Sequence, residues 1–475
     1  MFCNYVRIMK IDYNKYKGYN DMARNTVFIK GARMAAENGG EQICSLLLAD
    51  GKIAAVGTDE APEGAETFDA TGLVALPGAV DSHVHFFMQA ANGKRNADDF
   101  YAGSKGAVCG GTTSIVDFAS PVFGGSWTDG VNTRRAEADE NVFCDYGLHM
   151  EVTGAFEQDI SRLGELLDAG VRVLKIYTTY GADRYPRKKL HALFAEAKRL
   201  GMPVLAHCED DEIIQKTKRR MCREGRIAAA LHGISRPAAA EIAAVRELIA
   251  LSEQTGAELI VAHVSVGEAG LLIASARKRG VPVHAETCPH YLLLDEDRYA
   301  GNEPQRWIMT PPLRSKRDGE ILWGLLESGD IGMVSTDHCP FALAQKLAEP
   351  TCFGAIPGVG GCENMVSLLF SEGYQKGRLT LSQLCRRLSG EAARRYGLSP
   401  QKGGLTAGSD ADVVLIDPGA PRVLRAQSEH GNAGYSIWEG FPVGCTVRYV
   451  FLRGELAARD GEPAGVARGK FLHKK

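Results

Sequence analysis

Hydrophobic and polar positions change their rhythm three times along the chain. Residues 1–21 are rich in Tyr, Lys and Asn and show no clean period. Strand-like alternation begins after Met22, in Asn25-Thr26-Val27-Phe28-Ile29-Lys30, and continues in short segments as far as Val80. One of these, Leu46-Leu47-Leu48-Ala49-Asp50-Gly51-Lys52-Ile53-Ala54-Ala55-Val56, carries the Asp-Gly of a hairpin turn. Residues 22–75 therefore read as part of a β module, preceded by a flexible extension over 1–21.

From Leu76 to about Tyr396 the pattern becomes apolar runs alternating with amphipathic stretches, which is how parallel strands covered by helices look in sequence. Strands are predicted at residues 73–85, 113–118, 145–152, 173–177, 204–207, 259–263, 283–287 and 332–337, with helices between them that include 187–200 and 238–254. Eight such units make a (β/α)8 TIM-like barrel of residues 76–396, whose reactive groups belong at the C-terminal strand ends. Alternating β texture returns in Ala411-Asp412-Val413-Val414-Leu415-Ile416-Asp417 and Cys445-Thr446-Val447-Arg448-Tyr449-Val450-Phe451-Leu452. Residues 22–75 and 397–460 together are expected to form one discontinuous β-sandwich from both chain ends, with 461–475 as a tail.

Composition narrows the partners. A net charge of -3, with no long basic run and no interleaving of arginine with aromatics, excludes a nucleic-acid or membrane surface and favours small molecules. The 12 cysteines form no CxxC pair and no regular frame, so neither a disulfide scaffold nor a zinc finger is expected. A reducing cytoplasm fits that usage, and the N-terminus lacks the apolar core of a signal peptide.

The candidate chemistry starts from Pro77-Gly78-Ala79-Val80-Asp81-Ser82-His83-Val84-His85. Alternation along a strand turns His83 and His85 to the same side, where they can grip one ion. Placing the remaining ionisable residues on the predicted strand ends adds Lys175, His207, His263 and Asp337 in chain order. Six donors exceed the needs of one tetrahedral zinc and suit two metals that share a bridge. Lysine is the odd member, since an ammonium is repelled by divalent cations. Desolvation lowers its pKa, and a neutral amine can take up carbon dioxide to give an anionic carbamate with two oxygens, able to bridge the ions. Cys208, Cys288 and Cys339 sit beside these residues and read as buried, unreactive thiols.

Ordered motifs then tie the chain to a known family. They are His83-Val84-His85, Asp145-Tyr146-Gly147-Leu148-His149, Leu174-Lys175-Ile176-Tyr177-Thr178-Thr179-Tyr180, Ala206-His207-Cys208-Glu209, Ser235-Arg236-Pro237 and Ala262-His263-Val264-Ser265. They continue through Glu286-Thr287-Cys288-Pro289-His290-Tyr291-Leu292, Pro311-Pro312-Leu313-Arg314, Ser335-Thr336-Asp337-His338-Cys339-Pro340 and Tyr435-Ser436-Ile437-Trp438-Glu439-Gly440. From about Thr26 to Glu455 the chain resembles the dihydropyrimidinase/hydantoinase family of cyclic amidohydrolases, within the amidohydrolase superfamily. The resemblance implies that His83, His85 and Asp337 hold one zinc, that His207 and His263 hold the other, and that carboxylated Lys175 joins both together with a hydroxide. It implies attack on a ring amide carbonyl, with Tyr180 stabilising the oxyanion and Asp337 acting as base and then acid, opening the ring to an N-carbamoyl amino acid. A homotetramer follows by family analogy.

The ring itself is read from the neighbouring loops. Relatives that act on dihydroorotate carry an arginine soon after the paired histidines, and allantoinases an acidic Glu-Pro-Gly. Here Phe86-Phe87-Met88-Gln89 follows, an apolar patch suited to an uncharged substituent, with Phe86 as a substrate contact. Two segments depart from the family: Met309-Thr310 stands where Cys-Ser is common, and Ile356-Pro357-Gly358-Val359-Gly360-Gly361 lacks the usual asparagines. In the family these loops hold the ring's imide mainly through main-chain groups, so the resemblance implies that Thr310 and Gly360 can still serve as substrate contacts. Allantoin or another cyclic imide is the alternative substrate. A metal-poor scaffold would have lost ligands, and a one-metal base deaminase would have no use for Lys175.

Overall fold

The computed structural model describes residues 26–473 apart from 37, 59, 91, 92, 157 and 158, so the extension expected over 1–21 lies outside the described residues. Eight parallel strands form the barrel: β1 (Ala79–Asp81), β2 (Thr112–Ala119), β3 (Asp145–Glu151), β4 (Leu174–Tyr177), β5 (Val204–His207), β6 (Leu259–Val261), β7 (Val283–Thr287) and β8 (Met333–Val334), each paired with the next in chain order. The gap between β8 and β1 is bridged just beyond the strand ends. Val84 pairs in parallel with His338, and the buried Asp81 carboxylate accepts from the Thr336 main-chain N–H at 3.0 Å and its hydroxyl at 2.5 Å. Val80, Phe118, Leu205, Ile260 and Met333 fill the interior together with Tyr396. The parallel strands run apolar because both of their faces are buried.

The run expected as one strand over 73–85 is two. Val74–Pro77 belongs to the terminal sheet, where Val413–Asp417 pairs with it antiparallel, and β1 begins after Gly78. A Cβ at Gly78 would lie 2.0 Å from Thr113 Oγ1, so only glycine lets the chain pass from sheet to barrel there. The strand also stops at Asp81, which leaves His83 and His85 in irregular chain above it. The strand predicted over 332–337 shrinks likewise to Met333–Val334, with Asp337 beyond its end.

The terminal strands form one nine-stranded mixed sheet drawn from both chain ends, running from Val27–Ala35 at the start to Glu462–Pro463 at the finish. Period-2 alternation divides its residues between two cores. Ile29, Leu46, Phe68, Val413, Leu415 and Phe451 pack on one another within the module, whereas Val74, Leu76, Val414 and Ile416 join the core shared with the barrel. The final segment does not hang free. Phe471 pairs with Tyr146 of β3, Leu472 N–H donates to the Tyr146 carbonyl at 2.7 Å, and Leu472 is buried. Among the described residues no helix is long and apolar enough to cross a membrane.

Candidate active site

All six residues singled out on the strand ends converge on one mouth of the barrel. His83 and His85 stand above β1 with ring centroids 5.2 Å apart, and their Nε2 atoms lie 3.4 and 3.3 Å from one Asp337 carboxylate oxygen. Among the described residues these three form the one cluster of His, Cys, Asp or Glu with metal-ligand spacing. Lys175 Nζ on β4 lies 3.3 Å from His83 Nε2 and 5.0 and 5.2 Å from the ring centroids of Phe118 and Tyr177. His207, the last residue of β5, faces His263, just past β6, with Nδ1 3.1 Å from His263 Nε2. The His83 and His263 rings, 5.3 Å apart, join the two halves.

Two of the four histidines, His83 and His207, are oriented from behind. His83 Nδ1 is 2.5 Å from the Glu286 carboxylate of β7, which also accepts from Ser82 Oγ at 3.1 Å and Tyr396 OH at 3.2 Å. When Nδ1 donates to Glu286, His83 Nε2 is the bare nitrogen facing Asp337 and Lys175. His207 Nε2 is likewise engaged by Glu209 at 2.8 Å, and Arg236 grips Glu209 through Nε at 3.0 Å to both oxygens and through an N–H of Nη2. His207 Nδ1 is therefore left bare towards His263. Among the described residues His263 Nδ1 has no hydrogen-bond partner.

Burial sets the charges. It pushes the pKa values of His83, His207 and His263 below the ordinary histidine range, so these rings stay neutral with lone pairs available. Burial also pushes Lys175 down, against the pull of Asp337 and Glu286. Burial alone would raise Asp337, but its hydrogen bond to His85 and the charges around it hold the carboxylate at about 2. Glu209 follows the same rule: burial raises it, and Arg236 with His207 outweighs burial and keeps it ionised. Neutral imidazoles facing one another at 3.1 Å beside a carboxylate and a depressed amine are a donor set with too few protons to satisfy itself, and divalent cations fit it.

Tyr180 reaches the same mouth from the bend after β4. Its hydroxyl is 2.7 Å from Thr310 Oγ1 and 3.4 Å from His207 Nδ1, and the Arg236 guanidinium lies over its ring. Of the eight non-glycine residues with left-handed φ among the described residues, three are here: Tyr180 at 78°, His263 at 35° and Asp337 at 49°. Backbone strain of about 1–3 kcal/mol per residue is held where side-chain direction matters most.

Gly360 borders a cleft beside His338, lined also by Asp98 and Tyr435. Phe86 is placed differently from expectation. It is wholly buried against Phe100 and His338, with its ring on Gly103, and so locks helix Phe100–Cys109 to the barrel instead of facing the mouth. The next residue, Phe87, is the one left partly exposed. His149 and His338 turn away from the six donors, His149 Nε2 to the Ser82 carbonyl at 3.1 Å and His338 Nε2 to Asp98 at 2.9 Å. Cys208, Cys288 and Cys339 are buried with thiol pKa values pushed up by that burial. Sequence reasoning assigned no task to Glu286, Glu209 or Arg236. A carboxylate inside the buried strand Val-His-Ala-Glu-Thr was the signal that Glu286 needed a partner.

A closed parallel barrel with such a mouth defines the amidohydrolase class, and the family model described as "Amidohydrolase family" matches residues 74–457. D-hydantoinase of Geobacillus stearothermophilus is 34% identical over 426 residues, 88% of this chain and 90% of that protein. D-phenylhydantoinase of Escherichia coli is 35% identical over 441 residues, 90% and 94% of the two chains. The crystal structure of dihydropyrimidinase from Brevibacillus agri superposes with a TM-score of 0.91 at 32% identity, covering 94% of this chain and 98% of the other. The chain belongs to the dihydropyrimidinase/hydantoinase family of the amidohydrolases.

Proposed function

We propose that the protein hydrolyses a ring amide of a hydantoin or a dihydropyrimidine and releases an N-carbamoyl amino acid. The observation that carries this reading is the convergence of His83, His85, Lys175, His207, His263 and Asp337, with Tyr180 beside them, at one barrel mouth. His83, His85 and Asp337 would hold one divalent ion and His207 and His263 a second, with carboxylated Lys175 between them and zinc as the metal. Bound there, the ions would supply Lewis acidity and a water acidic enough to attack at neutral pH.

The chain's own groups then divide the work. Asp337, ionised well below neutral pH, accepts the proton of the attacking water and delivers it to the ring nitrogen as the carbonyl carbon–nitrogen bond breaks. The water oxygen ends in the new carboxylate and the nitrogen in the carbamoyl group. Tyr180 keeps its proton, because burial raises its pKa, and can donate it in a hydrogen bond to the carbonyl oxygen as negative charge develops. Such a donor typically contributes about 3–4 kcal/mol of transition-state stabilisation. Thr310, already bonded to Tyr180, and Gly360 would frame the ring's imide. Phe86, buried away from the mouth, takes no part. The altered loop over 356–361 keeps allantoin among the rings to test.

The test is metal content of purified protein together with hydrolysis of hydantoin, dihydrouracil, 5-phenylhydantoin and allantoin, in wild type and Lys175→Ala. About two metal ions per chain and ring opening that disappears in the variant are expected. Full metal with no turnover of the four would overturn the substrate class.

A further inference from the structure

Lys346 is a buried cation that the chemistry above leaves unused. It lies in helix Leu343–Leu347, fully removed from solvent, and no ion pair holds it among the described residues. Burial without a counter-ion is costly for an ammonium, and it pushes this group down to about 7. What it has instead is three main-chain carbonyls: Ile308 at 2.6 Å, Ile356 at 2.9 Å and Gly358 at 3.0 Å. Three acceptors use the three N–H donors of the charged form.

Those carbonyls come from the two segments that frame the mouth. Ile308 lies two residues before Thr310, and between them the Met309 carbonyl accepts from His232 Nε2 at 2.8 Å. Gly358 lies two residues before Gly360. The two segments also touch directly, through Gly358 N–H to the Ile308 carbonyl at 3.0 Å. At Gly358, φ is 128° and an added Cβ would fall 2.2 Å from the Cys339 carbonyl, so the second segment is packed onto the chain just after Asp337.

We infer that Lys346 is a positioning residue for ring recognition: its ammonium ties the segment carrying Thr310 to the segment carrying Gly360 and sets the gap between them. The inference rests on the reading that these two segments hold the ring. Lys346 makes no described hydrogen bond to the six donor residues or to Tyr180, so its effect reaches the site through the two segments it ties, and first of all through which ring fits between them. The residue works as a spacer between two recognition elements, and five- and six-membered rings sense that spacing differently.

The experiment compares wild type with Lys346→Met, which keeps the stem and removes the donors, and with Lys346→Gln, a milder variant that retains an N–H donor should the first fail to fold. Hydrogen–deuterium exchange is expected to rise in 306–311 and 355–361 together while 83–85 and 204–208 stay protected. Metal content stays at the wild-type level. KM for hydantoin rises about ten-fold with kcat changed less than about two-fold, and the ratio of kcat/KM for hydantoin to that for dihydrouracil shifts by at least about three-fold. Loss of folded enzyme scales both substrates equally and cannot move that ratio. Unchanged exchange in either segment, or looser segments with an unaltered ratio, overturns the inference. A wild type that opens neither ring defeats the proposed function instead, and the exchange measurement still decides whether Lys346 ties the two segments.

Discussion

Two lysines lie equally deep in opposite ends of the barrel and have opposite surroundings. Lys402 packs under the N-terminal end of β3, with Asp145 at 2.6 Å, Asp412 at 2.8 Å and Asp410 at 2.9 Å, and Asp145 is gripped in addition by Arg453. Burial lowers its pKa, but three carboxylates outweigh burial and drive it up, so it stays charged. Lys175, at the other end, has a histidine nitrogen and two aromatic faces as its near neighbours, and burial wins. The first cluster is closed: every charge is answered, and it joins the terminal sheet to the barrel. The second is open, with bare nitrogens and too few protons. A buried polar cluster that satisfies itself holds a fold together, and one that does not is waiting for a ligand.

The largest expected effect follows from opening the contrast at the mouth. Asp337→Asn removes the proposed proton shuttle and Lys175→Ala the proposed anionic bridge, and each is expected to lower kcat/KM for ring opening by at least about a thousand-fold. Because neither side chain is paired as Lys402 is, circular dichroism and the melting midpoint should stay near wild type. A large drop in the midpoint of Lys175→Ala would mean that the mouth, too, is structural.

Lys402→Met should behave in the reverse way. It removes the cation that three buried carboxylates share, leaving Arg453 to Asp145 and Lys52 to Asp410 but, among the described residues, no cation paired with Asp412, and breaking a buried pair by removing one partner typically costs about 3–5 kcal/mol of stability. Urea unfolding reads the loss, while kcat per folded molecule remains that of wild type. Activity lost without any loss of stability would erase the distinction between the two ends.

Glu286→Gln tests the support behind the mouth. The amide can still face His83 Nδ1 but no longer commits the ring to the tautomer that leaves Nε2 bare. Metal affinity is expected to fall by about 10–100-fold, the usual cost of losing such a partner. Competition with a chelator measures it, and an unchanged affinity would detach Glu286 from the site.

The same contrast explains how much could be read from the chain. Strand positions and the six donors were legible because burial on both faces makes parallel strands continuous apolar runs, and polar residues at their ends stand out. The break at Gly78 was not legible, since Leu-Pro-Gly-Ala-Val is apolar on both sides of it and only Thr113, 35 positions away, shows why the chain must turn. Phe86 was misplaced for a related reason: beyond Asp81 the strand has ended, and alternation no longer says which of Phe86 and Phe87 faces the mouth. Lys402 and Lys346 left no trace at all, because their partners are carboxylates and carbonyls brought in by tertiary structure.

Histidine extends the comparison at the smallest scale. His83, His207 and His263 are pushed down by burial, whereas His430 is pushed up by its hydrogen bond to Glu363, whose carboxylate lies 2.9 Å from Nδ1 and also accepts the His430 main-chain N–H. Glu462 stands 3.5 Å from the other ring nitrogen, and nearby Lys105 acts in the opposite sense. A folded-state pKa above the unfolded value means that the charged ring stabilises the fold fully below about pH 6.5 and that this contribution is lost as pH rises through the higher folded value. Solvent screens the partly exposed pair, so the effect should stay below about 1 kcal/mol. The difference in melting midpoint between wild type and His430→Gln is therefore expected to be larger at pH 5.5 than at pH 8.5. A gap that does not vary with pH would show that Glu363 holds His430 through its neutral N–H alone, and that a carboxylate partner is not enough to move a histidine out of the neutral state that His83, His207 and His263 share.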